Sequence, residues 1–168
     1  LERRRVEAQL RYRLEFEKLL TQISANFVNI NPEDIDRVIN QALGKIGTFC
    51  GIDRAFLFQF CNDNEFMRTH WWDSSHVKPL PADIQKVDAS MMPGLFQSFK
   101  NGEVLRTGSL EDILRSGEGA GLESVVQRMR RFGMESVICV PLSIGGKISA
   151  FLGLSSSQKG CSWSEDVI

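Results

Sequence analysis

No run of apolar residues in this chain approaches the roughly 18 that a membrane-spanning helix requires, and no signal peptide precedes the first helical pattern. Membrane insertion and export are therefore not expected, and a cytoplasmic location is. An excess of one charge is missing too. Twenty Lys and Arg stand against 21 Asp and Glu, for a formal net charge of −1, which argues against bulk attraction to nucleic acid. The basic run Arg3-Arg4-Arg5 is offset by Glu2, Glu7, Glu15 and Glu17 and lacks interleaved aromatics, so it reads as a solvated helix face. Cysteine is sparse and scattered. Cys50, Cys61, Cys139 and Cys161 form no CxxC and have no neighbouring His, which fits reduced thiols rather than a disulfide frame or a metal site.

Recognisable catalytic motifs are also absent. There is no GxGxxG, P-loop, HExxH or GxSxG, and Ser155-Ser156-Ser157 has no companion base at a meaningful spacing. His70 falls on a predicted strand beside two tryptophans and reads as a strand residue; His76 sits in a polar loop. Glu111 and Asp112 fall in the first turn of a short helix, where carboxylates meet the helix dipole. No catalytic residue and no metal ligand is expected.

What is present is a core of ordinary size. The 42% hydrophobic fraction in 168 residues suits one domain with an added helix. The organising stretch runs from Glu135 to Ser155, two strands joined by Gly145-Gly146, a pair that tolerates the positive φ of a two-residue hairpin turn. Val137 to Leu142 is apolar at every position, as in a strand buried on both faces. Pro141 has no N–H for a ladder, so it belongs at a bulge or where a neighbouring strand is missing.

Upstream, Leu1 to Asn29 is one long helical pattern. Phe16, Leu20, Ile23 and Phe27 alternate steps of four and three, the spacing of a helix that faces another helix. Asn31-Pro32-Glu33-Asp34 reads as a capped helix start, followed by an apolar stripe through Ile35, Val38, Ile39, Ala42, Leu43 and Ile46. Arg54 to Phe60 is a strand, and Phe66 to Asp73 is its partner across the Asn62-Asp63-Asn64 turn. Residues 74–90 read as a loop. Short helices follow from Met92-Pro93 and Ser109, then a helix from Leu122 to Phe132, and Trp163 to Asp166 begins another. The chain starts within a helix and stops as the last one opens, as a piece of a longer protein would. Hairpin-linked strands with these helices give an α+β class: a central antiparallel sheet, helices on one face, and a loop and short-helix region on the other.

With Asn31 to Asp36, Gly51 to Ala55, Thr69 to Trp72, Gly133 to Leu142, Gly153-Leu154 and Trp163 to Asp166 in this order and spacing, the chain resembles a GAF domain behind a signalling helix. The split is a linker helix over 1–20 and the domain over 21–168. The resemblance implies a non-catalytic regulatory sensor of a bacterial multidomain protein, with a histidine kinase or GGDEF diguanylate cyclase as its linked output domain. It also implies a ligand clasped between one sheet face and the excursion over 74–120. Phe58, Phe60, Trp72, Met92, Phe96 and Phe99 would line that pocket, and Arg54, Arg106 and Gln59 would orient an anion. The same aromatics suit a filled core with no ligand, as in a dimerisation and spacing domain, and sequence does not separate the two. Phe16, Leu20, Ile23 and Phe27 would pair two copies in a parallel homodimer. No cofactor is expected. The helix over 122–132 lacks the Cys-His pair of bilin-binding members, and the residues of cyclic-nucleotide-binding members cannot be placed. The cysteine set of the small reductases of the family is missing as well.

Overall fold

In the computed structural model, which describes residues 2–81, 85–115, 122–161 and 163, the hairpin over Gly145-Gly146 lies inside a six-stranded antiparallel sheet. The strands are β1 (Arg54–Phe60), β2 (Glu65–Asp73), β3 (Lys86–Asp88), β4 (Leu105–Thr107), β5 (Ser136–Ile144) and β6 (Lys147–Ser156). Their order across the sheet is β3-β2-β1-β6-β5-β4. Gly145 and Gly146 both take positive φ, 60° and 82°, the backbone of a type I′ turn whose twist matches that of the flanking strands.

Pro141 pairs with Phe151 on β6, while β4 reaches only Val137, Ile138 and Cys139 of β5. The missing N–H therefore falls beyond the end of the neighbouring strand, one of the two places expected for it. Strand β3 falls within the stretch read as a loop. With only three residues and a single paired edge, against Glu65, Phe66 and Met67, it has no alternation long enough to register as a strand in sequence.

Helix α1 (Glu2–Phe27) ends as the chain reaches Asn29, which has φ 58°. Asn tolerates that left-handed conformation better than most residues. Asn31 does not cap by its side chain. Its extended backbone leads into a 3-10 turn over Pro32–Asp34, and α2 follows over Ile35–Cys50. Helix α2 covers one face of the sheet, where Leu43, Ile52, Ala55, Ile138, Leu154 and Trp163 form one core cluster. Helix α1 lies on α2, with Tyr12 and Phe16 tilted against Phe49 at ring distances of 5.0 and 5.6 Å.

The opposite face is covered by α3 (Pro93–Lys100) and α4 (Leu110–Arg115) of the excursion and by α5 (Glu123–Arg131), which follows it. Here Phe58 and Phe99 both stack on Phe151, at 5.0 and 4.6 Å, and Phe66 stacks on Phe96 at 5.7 Å. Each aromatic buries a large apolar area, and offset or edge contacts add about 0.5–1.5 kcal/mol apiece. Phe58, Phe66, Phe96, Phe99 and Phe151 thus gather on this one face. The last helical signal, at Trp163 to Asp166, lies outside the described residues except for Trp163, whose indole donates to the Thr107 carbonyl at 3.0 Å.

Candidate functional site

The aromatic face is not completely filled. A cavity of about 150 Å³ lies between it and the excursion. Phe56, Phe58, Phe66, Val137, Cys139 and Phe151 form its sheet side, and Met92, Leu95, Phe99, Val126 and Met129 its helical side. The lining is apolar apart from Lys86 and Arg128. An apolar cavity of this kind stays dry and accepts apolar guests. It therefore suits binding, and supplies no general acid or base.

Of the residues read as pocket candidates, Phe58, Met92 and Phe99 line this cavity. Phe60 and Phe96 belong to the same core but stand behind the lining, Phe60 packed edge-on to Phe96 at 5.4 Å. Trp72 is a correction. Its ring lies against Gly44 and Gly47 of α2, on the other face of the sheet. The cause is a register shift: Leu57 pairs with His70 but Phe58 pairs with Arg68, which leaves Thr69 as an extra residue in β2. A bulge of this kind reverses the alternation along the strand. His70 and Trp72 thereby face α2, where His70 Nε2 lies 3.0 Å from Asp36 Oδ1 and Nδ1 lies 2.9 Å from Thr69 Oγ1.

The two arginines read as anion receptors are also reassigned. Arg54 is buried, and its guanidinium is already engaged. Nη1 donates to Asp73 Oδ1 at 2.6 Å, and Nη2 donates to the carbonyls of Lys78 and Phe132 at 2.6 and 2.9 Å. This three-way tie joins β1, β2, the loop after β2 and the end of α5. Arg106 is exposed on β4, beside a separate shallow depression shared with Glu103 and Asp112. Gln59 is exposed as well.

Glu111 is a charge partner in the excursion. Arg130 Nη2 lies 2.8 Å from its carboxylate, and that hydrogen bond, then Lys159, holds the carboxyl below its ordinary pKa. Ser109 Oγ accepts from the Glu111 N–H at 3.3 Å, as a cap. Among the described residues, no group of three His, Cys, Asp or Glu side chains could hold a metal ion, and no helix is long and apolar enough to cross a membrane.

Sequence reasoning missed most of the lining, including Phe56, Phe66, Leu95, Val126, Met129, Val137, Cys139 and Phe151. Cys139 is a cavity-wall residue, and burial pushes its thiol up to about 12, so it stays protonated at neutral pH and is a poor nucleophile. Strict alternation from Val137 would have placed it there. Arg68 pairs with Phe58 on the same sheet face but is not among the residues that line the cavity.

The four residues of the expected dimer helix share one stripe but are unequally covered. Phe16 and Ile23 are half-buried, Phe16 against α2, whereas Leu20 and Phe27 are 44% and 40% exposed. Val6 and Leu10 continue the exposed row.

Comparisons with known proteins agree with this architecture. The family model described as GAF domain matches residues 34–168. No curated protein matches the chain closely enough to count as a relative. Among solved structures, the chain is similar to the photoproduct state of GAF3 from Slr1393 of Synechocystis sp. PCC6803, with 20% identity and a TM-score of 0.61 over 80% of this chain and 82% of that one. It is also similar to the phycocyanobilin-bound GAF domain of a cyanobacterial phytochrome, with 14% identity and a TM-score of 0.68 over 90% and 84%. A third is the far-red-absorbing dark state of JSC1_58120g3 with bound biliverdin IXa, with 11% identity and a TM-score of 0.68 over 89% of each chain.

The expectation of no cofactor does not survive these comparisons. Domains of this fold carry phycocyanobilin and biliverdin, so a bilin joins the ligand classes to be considered, and the lack of a Cys-His pair on α5 does not decide against one. With its central antiparallel sheet, its α2-covered face and a family match reaching from Asp34 to the last residue, the chain belongs to the GAF domain family, a family of sensory domains.

Proposed function

We propose that this GAF domain senses by holding an elongated, largely apolar molecule of the bilin class between the Phe56-Phe58 face of the sheet and helices α3 to α5. The observation that carries the reading is the apolar cavity itself, left open in a face otherwise packed with stacked aromatics. Phe58, Phe66, Met92, Phe99 and Met129 are suited to hold the rings of such a ligand, since methionine and phenylalanine offer adaptable, polarisable contact.

At about 150 Å³ the cavity is smaller than the ~300–1,000 Å³ of a typical ligand site. A tetrapyrrole therefore fits only when the excursion moves off the sheet. In this reading that displacement is the signal. The Arg54 tie connects the ligand side to the rest of the domain, because it grips the Phe132 carbonyl at the end of α5 and Asp73 on β2 together. The shift would then pass through the sheet to α2 and α1, and through a parallel homodimer of α1 to a C-terminal output domain such as a histidine kinase or a GGDEF domain. The exposed row Val6, Leu10, Leu20 and Phe27 supports that pairing, since it recurs at the spacing of a helix-helix seam. The domain itself turns nothing over.

The test is to purify the domain from cells that make biliverdin or phycocyanobilin and to record native mass and visible absorbance. A bilin retained one per chain, with a raised melting temperature, supports the reading. A colourless domain that neither pigment stabilises rejects it and leaves a spacing and dimerisation module.

A further inference from the structure

The cavity has a second compartment as its neighbour. A depression of about 290 Å³ opens between α3, β4 and α4, at the edge of the sheet that β4 forms. Leu95 of α3, Leu105 of β4 and Ile113 of α4 line the cavity and the depression alike, so these three side chains are the partition between them. Leu95 and Ile113 are buried and Leu105 is half-buried. The chemistry differs on the two sides. The cavity is apolar apart from Lys86 and Arg128, whereas Ser98, Glu103 and Asp112 border the depression. Arg106 borders it too, but its strand partner Ile138 belongs to the α2-side core, so the Arg106 side chain leaves on that face.

A typical ligand site holds ~300–1,000 Å³ and sets a few polar groups against an apolar body. The cavity is well below that range at about 150 Å³ and the depression just below it at about 290 Å³, but joined they fall inside it and supply both chemistries. The partition is also of a kind that moves. Aliphatic contacts have no preferred direction, and leucine lacks the branch at Cβ that holds isoleucine stiff, so Leu95 and Leu105 can turn against a fixed Ile113. Strand β4 has three residues and pairs only with β5, so few ladder hydrogen bonds resist its displacement. We infer that the depression is the outer half of the ligand site, and that Leu95, Leu105 and Ile113 form the gate through which an elongated ligand threads, its apolar body in the cavity and its polar end beside Ser98, Glu103 and Asp112. The inference rests on the reading of the cavity as a ligand site and adds the route into it and the seat of the ligand's polar end. Ionised carboxylates only accept hydrogen bonds, so the end seated beside Glu103 and Asp112 is a donor, an N–H or a hydroxyl.

The test uses benzene, which an apolar cavity of this volume accepts by itself, and two long probes, biliverdin and 1-dodecanol. Each is titrated by calorimetry into the wild-type domain and Val104→Trp, and association is followed by stopped flow in Leu105→Ala. Val104 is 39% exposed, borders the depression and is not among the residues lining the cavity, so the indole fills the outer compartment alone. The wild type should bind benzene and at least one long probe. Val104→Trp should weaken that long probe at least about ten-fold relative to benzene. Leu105→Ala removes one leaf of the gate and should speed association of the long probe several-fold; Leu105→Val takes its place should the alanine variant not fold. If Val104→Trp weakens the long probe no more than benzene, or the widened gate leaves its association rate unchanged, the inference falls while the cavity still binds. It falls equally if benzene binds the wild type and neither long probe does. If no probe binds the wild type, the ligand-site reading falls and takes the inference with it.

Discussion

The ring of Phe56 lies where a side chain on Gly153 would stand: a Cβ on that glycine would be 1.9 Å from Phe56 Cε2. The two residues face each other across β1 and β6. Because Gly153 has no side chain, the ring can lie flat on the sheet and form the floor of the cavity rather than fill it.

Gly153→Ala should therefore push Phe56 upward into the cavity and cost about 1–3 kcal/mol by overpacking. Urea denaturation measures the loss. Phe56→Leu in the same chain should recover part of it, since the shorter side chain vacates the contested volume. A Gly153→Ala variant as stable as the wild type would mean the floor is not set by this contact.

Asp73→Asn leaves Arg54 and Arg68 buried with no carboxylate between them. Removing one member of a buried ion pair costs about 3–5 kcal/mol, so this variant should lose most of the stability of an ordinary domain. Arg68→Met added to it should restore stability, because it removes one of the two uncompensated charges. Thermal melts of the single and double variants, compared as a cycle, read the coupling.

Cys139 predicts an alkaline dependence with a definite sign. Its thiol is raised in the folded chain from 9.0 to about 12. Between those values the unfolded chain has lost the proton and the folded chain has kept it. Stability is therefore complete below pH 9 and falls as pH rises, by about 1.4 kcal/mol per pH unit from this group. The difference in unfolding free energy between wild type and Cys139→Ala should shrink over that range. At pH 8 iodoacetamide should modify the exposed Cys61 and spare Cys139 until denaturant is added.

On α1 the covered and the exposed residues of the stripe should separate experimentally. Leu20→Glu with Phe27→Glu places charge on the exposed row, so a wild-type dimer should sediment as a monomer with its melting temperature little changed. Phe16→Ala should instead lower stability by about 3 kcal/mol or less, since Phe16 is only half-buried against Phe49. A double variant that still sediments as a dimer would move the dimer contact off this helix.

The α+β class, the hairpin turn at Gly145-Gly146, the free edge beside Pro141 and the shared sheet face of Phe56, Phe58 and Phe60 were legible in the sequence. Each rests on a local rule: turn chemistry, a missing donor, or simple alternation. What sequence could not supply was the bulge at Thr69. One extra residue in β2 moved His70 and Trp72 to the α2 face, and a register shift leaves no mark on composition or period. Arg54 was read as an anion receptor, but its partners Asp73, Lys78 and Phe132 come from three distant stretches of chain, so its structural role emerges only from the fold. The choice between filled core and open cavity depends on packing to within a side chain's width.

The most direct measurement of the ligand-site account is a calorimetric titration of biliverdin into the wild-type domain and into Met129→Trp. Met129 is a half-buried cavity-wall residue on α5, so the larger ring plugs the site without requiring full burial. The account predicts one biliverdin per wild-type chain and affinity weakened at least about ten-fold in the plugged variant, with both proteins folded by circular dichroism. Equal binding by the two folded proteins, or none by the wild type, would contradict it.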